Sequence, residues 1–510
     1  MRHRRASRVA TTSGNNRIRK EVIMQGSIPD RRKRWWALIV LCLGVLMIVL
    51  DGTIVNVALP TIREDLGFTE ASLVWVVNAY MLTFGGFLLL GGRLGDLFGH
   101  RRLFLLGITL FTEASLACGL ANTQGLLIAA RAVQGLGGAV VSAVSLSLIM
   151  SMFTEDGDRA KAMGVYGFVC AGGGSIGLLL GGTLTSALSW HWIFLVNLPI
   201  GIGVYALCVA LLPRVRPAAS GERLDVWGAV SVTTSLMLAV YAIVHGNEAG
   251  WGSGQTVTLL TASVALLALF LVIESRISAP LMPLSIFRLR NLTFANVVGV
   301  LWAVTMFAWF FITTLYLQLV LGLGPLQVGL AFLPANIIMA AFSLGLSARI
   351  VTRFGIKRPL VTGLLCGAAG LALLSRAPVD GNVTLDVLPG MLLMGLGAGV
   401  AFNPLLLAAM GDVPPHESGL ASGVVNTAFM MGGALGLALL ASFAAAHTSD
   451  ALAAGFSQTD ALNAGYRLAF LLGASSATLA ALVAGTCIRP RKIHVTAQQP
   501  TEKARGADVL

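Results

Sequence analysis

Gly91-Gly92-Arg93-Leu94-Gly95-Asp96-Leu97-Phe98-Gly99-His100-Arg101-Arg102 is a short, glycine-rich, charged turn caught between two long apolar runs. A chain reversal this tight needs glycine, for close approach and for dihedrals that other residues avoid. At a membrane surface its arginines also mark which side the turn occupies. Outward from the turn, apolar runs of about twenty residues recur from Trp35 to Ile488, each long enough to cross a bilayer as a helix. The composition agrees: 56% of the 510 residues are hydrophobic and 11% charged, against roughly 25% charged in soluble domains. The mean hydropathy is +0.81. A membrane β-barrel is excluded, because its strands would alternate polar and apolar residues over about ten positions.

The expected fold class is therefore an all-α polytopic membrane protein. Fourteen spans are expected, near 36–58, 72–92, 103–121, 126–150, 161–186, 193–212, 226–245, 256–274, 292–321, 326–349, 358–375, 388–410, 418–443 and 466–488. Basic residues test the alternation. With the N-terminus in the cytoplasm, 31 of the 35 Lys and Arg fall in cytoplasmic segments. Only Arg63, Arg376 and Arg467 fall outside, and Arg131 lies within a span. That asymmetry predicts cytoplasmic termini and an even number of spans. It also assigns the net charge of +12 to topology and to contact with anionic membrane lipid rather than to nucleic acid.

The opening turn has a second copy, Arg349-Ile350-Val351-Thr352-Arg353-Phe354-Gly355-Ile356-Lys357-Arg358, at an offset of 256 residues. Arg93 aligns with Arg349, Phe98 with Phe354, Gly99 with Gly355, and Arg101 with Lys357. Both copies are expected on the cytoplasmic side, so the halves are parallel repeats with a substrate site between them. The expected organisation is a basic tail at 1–34, a six-helix bundle at 35–212, a two-helix insertion with its flanking loops at 213–291, a second six-helix bundle at 292–488, and a tail at 489–510.

Several function classes fall away. The six cysteines sit in apolar segments without metal-ligand spacing, so no metal site is expected. No lysine is followed by Ser or Thr, which excludes a phosphate-binding loop, and no HExxH occurs. Gly173-Gly174-Ser175-Ile176-Gly177 matches a hydrolase elbow by pattern, but no strand precedes it. Such a run within a membrane helix serves close packing or a bend. The chain is not expected to be an enzyme or to carry a cofactor, and its driving force must be an ion gradient or a partner subunit.

Several spaced motifs resemble the fourteen-helix drug:proton antiporter family of the major facilitator superfamily. The resemblance covers about residues 35–488. The turn at 92–102 is similar to the family's cytoplasmic gating loop, although Leu97 and His100 stand where arginines are usual. Leu50-Asp51-Gly52-Thr53-Ile54-Val55-Asn56-Val57-Ala58-Leu59-Pro60 resembles the branch's first-helix signature. Arg131-Ala132-Val133-Gln134-Gly135 resembles the fourth-helix motif, and Trp190-His191-Trp192-Ile193-Phe194-Leu195-Val196-Asn197-Leu198-Pro199-Ile200-Gly201 a further hallmark. The run at 171–182 resembles the fifth-helix antiporter motif, with Gly174 and Leu178 where proline is frequent. The resemblance implies proton-coupled efflux of small hydrophobic or cationic compounds, antibiotics among them, by alternating access; the alternatives are a dedicated exporter of one endogenous metabolite or a solute:proton symporter of the same fold and, in another class, a non-transporting sensor or permease subunit. A bacterial inner membrane is the implied location, and a single chain is expected to suffice.

Ionisable residues inside spans are costly and mark function. Away from helix ends there are three: Asp51, Glu113 and Arg131. Asp51 lies roughly 22 Å from the inner end of its helix and Arg131 roughly 8 Å from the outer end of its own. Both are therefore at similar depth in the outer half, as a buried pair requires. Pairing favours the ionised acid and desolvation the neutral one. Asp51 is thus a candidate for the coupling proton, tuned by Arg131; the alternative is a fixed ion pair that fastens two helices. Glu113, near mid-membrane, is a second proton candidate or a partner for a cationic substrate, or else a protonated acid between helices. Asn56, Asn78, Tyr80, Gln134, Asn403 and Asn426 are candidates for the substrate cavity, or for hydrogen bonds between helices. Trp302, Phe307, Trp309, Phe310, Phe311 and Tyr316 either stack on substrate or face lipid. The gating turns comprise Gly92, Arg93, Asp96, Gly99, Arg101 and Arg102, with Arg349, Arg353, Gly355 and Lys357 in the second copy.

Overall fold

The computed structural model describes residues 31–489, except 154, 213–224, 278–279, 283, 343–345 and 414–417. Both tails therefore lie outside the described residues. Fourteen principal helices follow in order. The first set is α1 (Arg31–Leu66), α2 (Trp75–Phe98), α3 (His100–Gly119), α4 (Gln124–Met152), α5 (Asp156–Ala187) and α6 (Asn197–Leu211). Then come α7 (Val226–Ala249) and α8 (Gly254–Arg276). The last set is α9 (Arg290–Phe307), α10 (Pro325–Ala341), α11 (Lys357–Leu374), α12 (Leu388–Met410), α13 (Ser418–Ala453) and α14 (Gln458–Cys487). Helices alone can satisfy their own backbone in hydrocarbon, and no strand occurs among the described residues.

Among the described residues, twelve helices are long and apolar enough to cross a membrane. The two other expected spans meet α5, a helix of 32 residues, and α10, one of 17.

Packing repeats between the two sets. In the first, α4 packs on α2 and α3, α1 on α5, and α3 on α6. In the second, α12 packs on α10 and α11, α9 on α13, and α11 on α14. Each half is held by small residues at the crossings. Along α5, Gly173 lies against Val49, Gly177 against Leu50 and Thr53, and Gly181 against Ile54 of α1. The glycine run is therefore a packing stripe within one continuous helix.

Both turns are tighter than the sequence indicates. Helix α2 runs to Phe98 and α3 begins at His100, so Gly99 alone reverses the chain, at φ 95°. In the second copy a short helix, Ser347–Phe354, ends at Gly355 with φ 77°. The amide of each glycine closes the preceding helix, on Gly95 O at 2.9 Å and Val351 O at 2.8 Å. Positive φ is what lets one residue end a helix and turn away.

The halves meet along two seams. Gly182 and Leu178 of α5 lie against Pro325, Leu326 and Gly329 at the start of α10, and the Leu326 amide donates to Ser186 Oγ at 3.2 Å. Along α2 and α13, Asn78 Nδ2 donates to Ala434 O at 2.8 Å, Met81 meets Gly433, and Leu89 meets Gly423. Helix α7 lies across this second seam. Its Tyr241 faces Trp75, Thr233 fills the space beside Gly86, and Asn247 Nδ2 donates to Ser442 O at 2.7 Å. Helix α8 packs on α7 and is largely exposed.

Candidate functional site

The polar centre of the first bundle is built by five helices. Thr123 caps α4 through its hydroxyl, and the three-residue spacing of Arg131 and Gln134 then sets both on one face. Gly135, beside them, lets α2 approach: a Cβ there would run into the Tyr80 carbonyl and the Thr83 hydroxyl. Asp51 arrives from α1, Ser115 from α3 and Asn197 from the start of α6.

Arg131 Nη1 donates to Asp51 Oδ2 at 2.5 Å and to Gln134 Oε1 at 2.7 Å, while its Nε donates to Val76 O at 2.9 Å. Gln134 Nε2 donates to Asp51 Oδ1 and to Ser115 Oγ, both at 2.7 Å. Asn197 Nδ2 lies 3.2 Å from Asp51 Oδ1 and 3.3 Å from Ser115 Oγ. The guanidinium sits 4.4 Å over the Tyr80 ring and 5.6 Å from that of Phe194. Asp51 and Arg131 are both 0% exposed. Removing two charges from water costs several kcal/mol per ion, and only close pairing with further hydrogen bonds offsets it. Here every polar partner is an uncharged group, so Arg131 is the one full positive charge balancing Asp51.

The other expected residues scatter. Tyr80 and Gln134 join the charged pair. Asn78 spends its amide across the α2–α13 seam. Asn56 turns to its own helix, on Gly52 O and Thr53 O. Asn426 is exposed and bonds Ser422 O of its own helix, and Asn403 is half-buried one residue beyond the exposed Phe402. Phe429 lies beside both Phe402 and Phe307.

Glu113 stands apart. It is exposed on α3, while Ser115, two residues on, points into the network. Two residues on a helix are about 200° apart, so one face cannot serve both.

The aromatic residues of α9 and of its continuation to Val320 belong mainly to the core of the second bundle. Trp302, Trp309, Phe311 and Tyr316 are buried. Trp302 fills the space beside Gly367, and Tyr316 donates to Pro378 O at 2.7 Å. This replaces the expected lipid-facing or substrate-stacking role for those four, and only Phe307 and Phe310 are half-buried. The helix continues past Phe307 through two π-helical turns, Ala308–Ile312 and Tyr316–Val320, a form concentrated at functional sites.

At the first turn, Gly91 packs on Ala139 and Val140, Gly92 lies near Ala143, and Arg101 donates to Val209 O at 2.9 Å. Arg93 is half-buried; Arg102, Arg349 and Arg353 are exposed, and Lys357 is half-buried. The side chain of Asp96, a member of the expected gating turn, lies outside the described side chains.

Sequence reasoning did not single out Ser115, Asn197 or Phe194. Asn197 and Phe194 stood within a quoted motif; a lone amide in an apolar helix was the available signal. Ser115 carried none, since serine in a membrane helix is common.

The Major Facilitator Superfamily profile matches residues 41–437. Curated relatives include the puromycin resistance protein pur8 of Streptomyces alboniger, 41% identical over 91% of this chain and 93% of that protein. The cephamycin export protein CmcT of Amycolatopsis lactamdurans is 38% identical over 81% and 85%. The tetracenomycin C resistance and export protein of Streptomyces glaucescens is 32% identical over 82% and 78%. Among solved structures, the partially occluded, inward-open xylose transporter XylE of E. coli shares the fold at TM-score 0.60 and 13% identity, over 90% of this chain and 99% of that one. An auto-inhibited POT-family peptide transporter does so at TM-score 0.63 and 15% identity, over 92% and 99%. With this architecture and these matches, the chain belongs to the Major Facilitator Superfamily.

Proposed function

We propose that the protein exports small, largely hydrophobic compounds, antibiotics among them, in exchange for protons. The observation that carries this reading is the sealed network around Asp51. A single carboxylate is balanced by a single guanidinium, inside one bundle of a fold whose relatives carry the names of resistance and export proteins. Protonation of Asp51 would free Arg131 and Gln134 to rearrange, which ties the proton to helix packing. Residues 35–212 and 292–488 act as the two rocking units, with 213–291 inserted between them. Both termini face the cytoplasm, an orientation that the distribution of basic residues supports, and the membrane is a bacterial inner membrane. One chain suffices, and no cofactor takes part. Gly99 and Gly355 are the points about which the gating turns move, with Asp96 as the latch.

Substrate-driven proton release from proteoliposomes tests the reading, alongside a drug-susceptibility panel in an efflux-deficient host. Asp51→Asn should abolish both proton release and protection while the protein remains folded in the membrane. Continued exchange against a gradient by that variant would remove Asp51 from the proton path. Uptake coupled to inward proton flow would point to a symporter of the same fold.

A further inference from the structure

The inserted helix α7 lies across the α2–α13 seam, and it is not tied equally to the two sides. Toward α13 the ties are hydrogen bonds. Asn247 Nδ2 donates to Ser442 O at 2.7 Å and to Ser442 Oγ at 3.0 Å. Ser442 Oγ in turn donates to Ile243 O at 3.1 Å. A hydroxyl accepts and donates at once, so one serine closes a loop with two residues a single turn apart on α7. Trp251 Nε1 donates to Asn247 Oδ1 at 3.0 Å and holds the amide in place. Ser442 itself is 2% exposed.

Toward α2 the ties are packing contacts. The Tyr241 ring lies 6.5 Å from that of Trp75, tilted by 50°. Thr233 occupies the space beside Gly86 and spends its hydroxyl on Ala229 O of its own helix, at 2.8 Å. Ala229 shares a small apolar cluster with Leu90. The two kinds of tie respond differently when helices part. Pulling Asn247 from Ser442 strands polar groups, and a buried one then bears its full desolvation cost. Apolar contacts give way more easily in a membrane, because lipid tails are as apolar as the side chains they replace. Helix α8 follows α7, since Ser235 Oγ donates to Ser263 O at 2.7 Å between them.

We infer that α7 and α8 form a strut fixed to the second bundle through Asn247 and Ser442, and that α2 slides along α7 as the halves move. The inference rests on the rocking of the two halves in the proposed export cycle. The second moving unit is then eight helices, α7 to α14, facing a first unit of six. Two adjacent glycines give α2 a smooth track past both of its neighbours. Gly85 lies against Met430 and Met431 of α13, and Gly86 against Thr233 of α7. Without side chains at these two positions, nothing on α2 interlocks with either helix there. When the seam opens at the end that bears Trp75, the Trp75–Tyr241 contact parts and the Asn247–Ser442 bonds hold.

The test is double electron–electron resonance on the full chain in lipid nanodiscs, with the native cysteines replaced and spin labels introduced in pairs. The labels take exposed positions at the end of the molecule where Trp75 lies: Glu64→Cys on α1, Ala249→Cys on α7 and Ser449→Cys on α13. The Glu64–Ser449 pair reads one half against the other. The Ala249–Ser449 pair reads α7 against the second bundle, and Ala249–Glu64 reads it against the first. Between acid and neutral buffer, Glu64–Ser449 and Ala249–Glu64 should shift together, while Ala249–Ser449 stays fixed and narrow. Asn247→Leu should broaden the Ala249–Ser449 distribution, and Tyr241→Leu should leave it narrow. The inference is overturned if Ala249–Ser449 shifts along with Glu64–Ser449, or if Ala249–Glu64 is the pair that stays fixed. It is equally overturned if Asn247→Leu leaves Ala249–Ser449 as narrow as in the parent. A Glu64–Ser449 distance that never changes removes the rocking, and the strut with it. A Glu64–Ser449 shift that persists in Asp51→Asn counts against the proton reading alone and leaves the strut standing.

Discussion

Breaking the Asp51–Arg131 pair from one side should cost much more than removing it from both. Asp51→Ala leaves a guanidinium 0% exposed with only Val76 O and Gln134 Oε1 as acceptors. An uncompensated buried charge of this kind costs about 3–5 kcal/mol. Arg131→Met removes the charge but strands Asp51, which keeps donors from Gln134 and Asn197. Its cost should lie at the lower end of the same range, about 3 kcal/mol, because charge-assisted hydrogen bonds still support the carboxylate. With both charges gone, what remains is the loss of packing over Tyr80 and of the hydrogen bonds, about 1–3 kcal/mol. The double variant should thus be more stable than Asp51→Ala alone, with a coupling energy of about 3 kcal/mol or more. Equilibrium unfolding in mixed lipid–detergent micelles measures all four proteins. Additive costs, with coupling near zero, would refute the argument that the pair is desolvated and mutually dependent. The cycle reads stability alone, so a fixed pair and a proton site predict the same result here. Only proton release by Asp51→Asn separates them.

Asn197→Leu removes an amide donor from Asp51 Oδ1 and should destabilise by about 0.6–1.7 kcal/mol. Loss of this bond should slow substrate-driven proton release; an unchanged rate would exclude Asn197 from the site. Gly99→Ala forces a side chain to φ 95° at about 1–2 kcal/mol and should slow turnover more than it weakens substrate binding; an effect on binding alone would refute a role in gating. Gly177→Val drives a branched side chain into Leu50 O and Thr53. It should separate α1 from α5 and abolish export, whereas near-normal export would mean that the glycine stripe is dispensable. Glu113→Gln, on the exposed face of α3, should leave substrate-driven proton release unchanged; a lost proton signal would bring Glu113 into the mechanism.

What was legible beforehand depended on the range over which each cause acts. Helix positions, the repeat and the crowding of glycines are local properties: apolar length, an offset of 256 and the side chains that a turn tolerates. The equal depth of Asp51 and Arg131 followed from counting residues at a fixed rise along antiparallel helices. Rotation about the helix axis was not legible, because in a membrane both lipid-facing and buried faces are apolar. That is why Glu113 stood out and Ser115 did not, although one is exposed and the other closes a hydrogen-bond network. The same ambiguity left the aromatic residues of α9 open, until Gly367 was seen to make room for Trp302.

By itself, then, the sequence determined that this chain is a polytopic helical protein with two matched charged turns and one carboxylate–guanidinium pair at a common depth. Those features follow from hydrophobicity, charge and chain geometry, which act residue by residue. The tertiary structure alone decided which faces turn inward. It thereby decided that Gln134, Ser115 and Asn197 complete the site around Asp51, and that α7 bridges the seam between the halves. Helix rotation is set by the fit of small and large side chains between helices, and that fit exists only once the neighbours are in place.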